Sequence, residues 1–336
     1  MSNDVGKITP EMTALLKRSG SDRYEEAVAG MREFAKAIET PLRKGVQSGD
    51  IVVGAGIFTT EVMAPGASIE YPLDFLIPGT EKEWVAYTIP RHGRIPEKTF
   101  EGDYVMVPTY SVGSSIDWLL KYARDARWNI VQRAMQVFEA TFDKKRNDDG
   151  WHTLLSAGVD RNIVVYDADA AAGQFTKRLI SLMKTVMRRN GGGNSTSQNR
   201  RKLTDAYMSP EGVEDIRNWG VDQVDEVTRR EIYNAADGTF NRVFGVNLHD
   251  LDELGEGQEY QSFFSQQLSG ALASGDVELV VGMDLSKNDS FMHPIREPMK
   301  VFEDPTFHRQ QKASWYGWQE HGFAVLDGRN IILGSY

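Results

Sequence analysis

The chain has 336 residues, 40% of them hydrophobic and 26% charged, with no cysteine and a formal net charge of −10. That length and apolar content are enough for a real core in one large domain or two ordinary ones. The lack of cysteine excludes disulfides, thiolate metal centres and cysteine nucleophiles, and the acidic balance argues against general nucleic-acid binding, which depends on neutralising phosphates with Lys and Arg. There is no apolar run of the roughly 18 residues a membrane helix needs. The opening Met1-Ser2-Asn3-Asp4-Val5-Gly6-Lys7 lacks the apolar segment of a signal peptide, so cytoplasmic synthesis is expected.

Asp22 with Glu25 three residues later reads as a capping box for a helix over 23–39, with Tyr24, Val28, Met31, Ala35 and Ile38 on one face and Pro41 ending it. Between 40 and 109 the pattern changes to short β-like pieces, 51–53, 69–72, 83–90 and 103–108, among seven prolines at 41, 65, 72, 78, 90, 96 and 108. Proline cannot donate to a sheet ladder and stays out of central strands, so this is an extended, edge-rich excursion with little core of its own. A neighbouring copy is the natural surface for it to lie on. From Ser115 the chain runs without Gly or Pro to Asn147, ahead of Asp148-Asp149-Gly150, and this predicts one long helix over 116–147. Ile116, Leu119, Tyr122 or Ala123, Ala126, Ile130, Ala134, Val137 and Thr141 recur at the steps of one buried stripe. Such a rod, roughly 45 Å long, is an organising beam rather than a wall of a small-molecule pocket.

A strand over 161–166 and a helix over about 171–189 follow, the helix turning Phe175, Leu179, Leu182, Met183 and Val186 inward. The run from Gly191-Gly192-Gly193 to Asn199 reads as a flexible, basic-flanked loop. A strand over 203–208 leads into Ser209-Pro210-Glu211, with Ser as N-cap and Pro at the first helical position. Helices are expected over 221–235 and 259–273. Strands are expected over 277–283, 323–326 and 330–333, the last two joined as a hairpin through Asp327-Gly328-Arg329. There is no internal repeat and no clean linker. The class is α+β, with runs of strands and helices instead of regular βαβ alternation.

Motifs that suggest chemistry fail on inspection. Ile51-Val52-Val53-Gly54-Ala55-Gly56 begins like a dinucleotide fingerprint, but the third glycine position holds Thr59, and Pro65-Gly66 arrive before a pyrophosphate-binding helix. No Gly-Lys-Ser/Thr follows Gly193, so that run is not a phosphate loop. Asp250-Leu251-Asp252-Glu253-Leu254-Gly255 resembles a calcium loop yet has Leu254 and Gln261 at two ligand positions; it reads as an acidic turn. His92, His152, His249, His293, His308 and His321 show no paired ligand spacing, and Gly113-Ser114-Ser115 lacks the second glycine of a nucleophile elbow. Trp118, Trp128, Trp151, Trp315, Tyr316 and Trp318 are not interleaved with a basic cluster and read as core and interface packing. No catalytic residue, cofactor site or metal site is assigned, and the chain reads as a non-enzyme.

Charge is placed unevenly. From 184 to 202 stand six basic residues, Lys184, Arg188, Arg189, Arg200, Arg201 and Lys202, and no acidic one. From 243 to 286 stand eight acidic residues, Asp250, Asp252, Glu253, Glu256, Glu259, Asp276, Glu278 and Asp284, and no Lys or Arg. Single runs of this kind are ordinarily solvated faces. Opposite blocks on one chain also let copies attract one another head to tail, as closed rings require.

Taken in order, these features resemble the major capsid protein family of tailed bacteriophages, with its Hong Kong 97-like fold. The resemblance is carried by Tyr71-Pro72-Leu73-Asp74-Phe75, Tyr87-Thr88-Ile89-Pro90, Glu101-Gly102-Asp103 leading into Val105-Met106-Val107-Pro108, the helix from Asp117-Trp118-Leu119-Leu120 to Asp148-Asp149-Gly150-Trp151-His152, Ser209-Pro210-Glu211 and the terminal 318–333 hairpin. It implies an N-terminal arm over 1–48, an extended loop with flanking strands over 49–110, and a peripheral domain over 111–170 with the spine helix at 116–147. It further implies a mainly axial domain over 171–285 and a return to the peripheral domain over 286–336.

The implied function is structural: a subunit that assembles as hexamers and pentamers into an icosahedral head in the host cytoplasm and resides in the virion. DNA would be held by confinement without sequence-specific binding, with no membrane involved. The implied partners are a separate scaffolding protein, since 50 residues ahead of the strands are too few for a fused one, together with a portal and a decoration protein. Implied subunit-interface residues are Lys82, Arg91 and Arg94 in the loop, Arg188, Arg189, Arg200 and Arg201 in the basic block, and Asp250, Asp252, Glu253 and Glu256 in the acidic one. Lys82 and Lys98 lie where the prototype places its cross-linking lysine, but no partner asparagine can be assigned and no cross-link is expected. The alternatives are an encapsulin-type nanocompartment shell and a homo-oligomeric soluble enzyme.

Overall fold

The computed structural model describes residues 10–21, 23–49, 56–64, 66–72, 104–125, 128–190, 201–219, 242–273, 275–286 and 290–336. Its elements begin with α1 (Pro10–Ser19), α2 (Tyr24–Gly49), β1 (Thr59–Val62), β2 (Glu70–Pro72), β3 (Tyr104–Met106), β4 (Tyr110–Leu119), α3 (Leu120–Arg124) and α4 (Trp128–Asp160). Then come β5 (Val164–Tyr166), α5 (Lys177–Asn190), β6 (Asp205–Met208), α6 (Pro210–Asn218), β7 (Arg242–Val243), β8 (Val246–Asp250) and α7 (Glu259–Ser262), which runs on as a π-helical segment, Phe263–Gln267. The chain ends with β9 (Leu279–Met283), β10 (Phe291–Asp304), β11 (Lys312–His321), β12 (Ala324–Val325) and β13 (Ile331–Ser335). Two compact units result: Met1–Glu70, Met106–Gly150 and Met292–Ala324 form the first, and Tyr71–Val105, Trp151–Phe291 and Val325–Tyr336 form the second.

In the first unit the strands run in the order β1-β10-β11-β4, with β12 also paired to β10. β4 and β11 pair antiparallel over their full length, Tyr110 opposite His321 and Leu119 opposite Lys312. Side chains alternate across a strand, so Ile116 and Trp118 share the face that meets the helices. Trp118 stacks on Trp315 with ring centroids 4.2 Å apart, Phe34 of α2 stands edge-on to Trp118, and the Trp315 Nε1–H donates to the Met31 carbonyl at 3.2 Å. Around this aromatic centre pack Ala27, Met31, Ala35 and Ile38 of α2 and Val131, Met135, Phe138 and Phe142 of α4, all buried. Each large apolar side chain so buried contributes about 1.5–3 kcal/mol. Gly30 allows α1 and α2 to touch: a Cβ there would sit 2.6 Å from the Ser19 backbone nitrogen.

In the second unit six strands run β5-β13-β9-β6-β8-β7, parallel for β5/β13 and β6/β8 and antiparallel elsewhere. β6, β9 and β13 are buried along their whole length, which explains their near-continuous apolar sequences. α5 covers the sheet with Leu179, Ile180, Met183 and Met187, and it lies close because Gly282 has no side chain: a Cβ there would fall 2.6 Å from Leu203 Cδ1 and 2.9 Å from Met183 Cε. Ser209 caps α6 as its sequence predicts, accepting from the Gly212 N–H at 3.1 Å. Its hydroxyl also meets Tyr336, whose phenol donates to Glu278 at 2.7 Å. Burial and the Glu278 carboxylate push the Tyr336 phenol well above its usual range.

Several expectations change. The spine helix expected over 116–147 is α4, Trp128–Asp160, and the residues read as its first turns are the end of β4 and α3. In that segment Ile116 and Leu119 fit the helical steps while Ile116, Trp118 and Leu120 fit period two, and the ladder to β11 decides for strand. Asp148-Asp149-Gly150 does not end the helix. Lys145 pairs with Asp149 at 2.7 Å one turn on, and the buried Trp151, Leu154 and Leu155 offset the roughly 1 kcal/mol cost of an internal glycine. The buried stripe runs through Val131, Met135, Phe138 and Phe142, one position on from the expected Ile130, Ala134, Val137 and Thr141; Ile130 and Val137 are exposed.

α2 continues through Pro41 to Gly49, and 10–39, expected within a separate arm, supplies part of the first unit's core. The terminal hairpin does not form: β12 pairs β10 in the first sheet while β13 pairs β5 and β9 in the second, and Gly328–Asn330 is a 3-10 turn. Of the segment 286–336, Met292–Ala324 belongs to the first unit and Val325–Tyr336 to the second. The helix expected over 259–273 stops at Gln267. The pieces expected at 51–53, 83–90, 191–199 and 221–235 lie outside the described residues.

Candidate assembly surfaces

Sheet edges form one class of surface. β1 is an outer strand of the first sheet with all four residues exposed, and β4, the other outer strand, has one sheet neighbour among the described residues. On β4 the face away from the core carries Ser111, Gly113, Ser115, Asp117 and Leu119, all exposed. In the two-stranded β2/β3 ladder, Tyr104 is 63% and Met106 67% exposed. Outer strands present N–H and C=O groups that pair readily with another chain, and large apolar side chains beside them mark contact surfaces.

An open cleft of about 930 Å³ in the second unit forms a second, basic surface. α5 lines it with Ser181, Lys184, Thr185, Arg188 and Arg189, because the helix's apolar stripe is turned to the sheet and its cations fall on the opposite side. Arg188 and Arg189 occupy the last turn of α5, where the helix's free carbonyls favour positive charge. Lys202, Leu203 and Thr204, leading into β6, form another wall. The rim is the turn between β7 and β8, Phe244-Gly245, with φ of 50° and 75°. Positive φ at both central residues is what a two-residue hairpin of this hand requires. The turn holds Phe244 half exposed, and the Lys184 ammonium donates to the Phe244 carbonyl at 2.5 Å.

Arg201 differs from its neighbours in the basic block. It is 3% exposed and ion-paired to Asp327, which also accepts from Arg329 at 2.8 and 2.9 Å. Burial alone would raise the Asp327 carboxyl, but the Arg329 hydrogen bonds and the Arg201 charge hold it below the usual carboxylate range. Arg201 is thus a buried cation paired inside the subunit, unlike the exposed Arg188 and Arg189.

The acidic block forms the third surface. Asp250, Asp252 and Glu256 are exposed and Glu253 half-buried, while Leu251 and Leu254 turn inward and anchor the loop. The Leu251 N–H donates to the Met208 carbonyl at 2.9 Å and the Tyr260 N–H to the Glu253 carbonyl at 3.0 Å. Among the described residues neither Arg188 nor Arg189 forms an ion pair with these carboxylates. Lys82, Arg91, Arg94, Lys98 and Arg200 lie outside the described residues. Sequence reasoning missed Phe244; the signal for it was an aromatic-glycine pair between Val243 and Val246.

Among the described residues no three His, Asp or Glu side chains come together so as to hold a metal ion, and no helix is long and apolar enough to cross a membrane. No protein-family model matches the sequence, and no curated protein matches it. Solved structures do match. One of Microbacterium phage Oxtober96 aligns over 84% of this chain and 90% of its own, with a TM-score of 0.55 and 10% identity. The capsid of an empty GTA particle aligns over 82% and 87%, with a TM-score of 0.51 and 14% identity. The capsid of cyanophage Pam1 aligns over 83% and 88%, with a TM-score of 0.51 and 8% identity. Identity is low throughout, and the likeness lies in the path of the backbone. The chain accordingly has the Hong Kong 97-like fold of tailed-phage capsid proteins.

Proposed function

We propose that this chain is a major capsid subunit that self-assembles into an icosahedral phage head enclosing double-stranded DNA. The observation that carries the reading is the extent of the fold match: more than four fifths of the chain follows structures that include a GTA capsid and a cyanophage capsid. The outer strands and the β2/β3 ladder, with their exposed apolar residues, support it as surfaces that copies of the chain can cover. We assign the first unit, with most of α4, to a peripheral domain and the second unit to an axial domain. The chain's role is mechanical rather than enzymatic. With a net charge of −10, DNA is retained by confinement inside the closed shell. A separate scaffolding protein, a portal and a decoration protein complete the particle, which assembles in the host cytoplasm.

Negative-stain electron microscopy of the protein expressed alone, and then with its genomic neighbours, tests this. Closed shells or tubes tens of nanometres across are expected, and DNA-filled particles when packaging partners are present. Small discrete oligomers under both conditions would sink the shell reading, and shells that take up an enzyme in place of DNA would convert it to a nanocompartment.

A further inference from the structure

The two charged surfaces of the second unit stand at opposite ends of the same strands. β6 and β8 are parallel, Asp205 opposite Asn247 and Met208 opposite Asp250. At their starts lie Lys202 and Thr204 and the Phe244-Gly245 turn, which line the basic cleft. At their ends lie Met208 and the acidic loop that begins at Asp250, joined by the Leu251 N–H bond to the Met208 carbonyl. Five residues of β8 at ~3.4 Å each separate the two surfaces by roughly 17 Å, about twice the screening length at physiological salt. Within one subunit the clusters therefore do not neutralise each other. Among the described residues the cleft is lined by Lys184, Arg188, Arg189, Arg201 and Lys202 with no Asp or Glu, and the opposite end exposes Asp250, Asp252 and Glu256 with no Lys or Arg in the loop.

Building on the shell reading, we propose that the basic cleft of one copy receives the acidic loop of a second copy. The contact joins two different patches, so it is heterologous: each copy gives its loop to one neighbour and its cleft to the other, and the series closes into a ring. Charge of opposite sign on the two patches selects this head-to-tail pairing and disfavours cleft-to-cleft and loop-to-loop encounters. Arg201 takes no part, being committed to Asp327. The exposed Phe244 supplies an apolar rim against the incoming Leu-anchored loop.

The test compares the full wild-type chain with Arg188→Glu/Arg189→Glu, with Asp252→Arg/Glu256→Arg, and with all four changes together. Each double reversal is expected to lower the yield of sedimenting rings and shells at least tenfold, a like-charge penalty of about that size. Circular dichroism of the subunit should stay unchanged, and thermal unfolding should fall by at most a few degrees, for Arg188→Glu/Arg189→Glu through the negative charge placed at the α5 C-terminus. The fourfold variant should recover assembly to within about threefold of wild type. Lys202→Glu, which lies off the helix, should reproduce the cleft defect if reversal in the last turn of α5 perturbs folding. Normal assembly by either double variant, or no recovery in the fourfold variant, overturns the proposal. So does binding of a single-stranded oligonucleotide or polyphosphate that the cleft reversal abolishes while shells still form, since the cleft would then serve phosphate. Wild-type rings that respond to the reversals without ever closing into shells would leave the contact standing and defeat the shell reading instead.

Discussion

His293 on β10 and His321 on β11 lie in the first unit with ring centroids 5.3 Å apart, 0% and 1% exposed, and Phe323 stacks on His293 at 4.4 Å. Burial, the Arg146 charge and the neighbouring imidazole lower His293 to about 2. Burial and Arg146 lower His321 to about 4. Both rings are neutral in the folded protein at neutral pH, whereas in the unfolded chain they titrate near 6.5. As the pH falls below about 6.5 the unfolded chain takes up protons that the folded chain refuses, so stability is full above that pH. It is lost through the window down to about 4 for His321 and on towards 2 for His293. Between pH 6.5 and 5.5 the loss should be about 2 kcal/mol. Denaturant titrations of the subunit across that range should show it, and His293→Asn/His321→Asn should flatten the slope; an equally steep slope in the variant would mean that other groups carry the acid sensitivity.

Elements show where packing overrides local preference. In an open helix Gly→Ala adds about 0.5–1 kcal/mol. At Gly30 the sign should reverse, because the new Cβ would lie 2.6 Å from Ser19 N and 2.7 Å from Arg18 C, backbone atoms that cannot swing aside. Gly30→Ala should cost about 1–3 kcal/mol by forcing α1 off α2, read as a lower denaturant midpoint; a gain would mean that α1 is not docked as described. The same competition explains the misread rod. Ile116 and Leu119 satisfy a helical stripe on paper, yet Trp118 completes the stack with Trp315, and the ladder to β11 takes the whole of Tyr110–Leu119. Conversely, Ser209-Pro210-Glu211 was legible because an N-cap is a local device, closed by one bond from the Gly212 N–H. The hairpin at Asp327-Gly328-Arg329 was not: Asp327 instead accepts from Arg329 and pairs with the buried Arg201, far away in sequence.

For the whole molecule, the proposed closure into a shell would be a binding equilibrium of the folded state alone, and whatever binds only the folded state raises its apparent stability. Calorimetry should show assembled shells unfolding at a higher temperature than free subunits at the same pH. Equal unfolding temperatures would mean that subunits leave the shell before they unfold. Acid sensitivity should be weaker in the shell, because the His293 and His321 penalty must then exceed subunit and interface stability together.

The sequence by itself determined the α+β class, the existence of a long helix, the α6 cap, the inward face of α5 with Leu179 and Met183, and the two charge blocks. Each is written in local periodicity, in a capping residue or in composition, which act over a few residues. Only the tertiary structure decided that α4 starts at Trp128 and runs to Asp160, that β12 and β13 part into different sheets, and that Arg201 is spent on Asp327 inside the subunit. It also decided that the exposed cations at Arg188, Arg189 and Lys202 and the exposed carboxylates at Asp250, Asp252 and Glu256 stand at the two ends of β6 and β8. These depend on which residues distant in sequence become neighbours, where the burial of Trp118, Trp315 and Arg201 outweighs any preference that their own stretches of chain express.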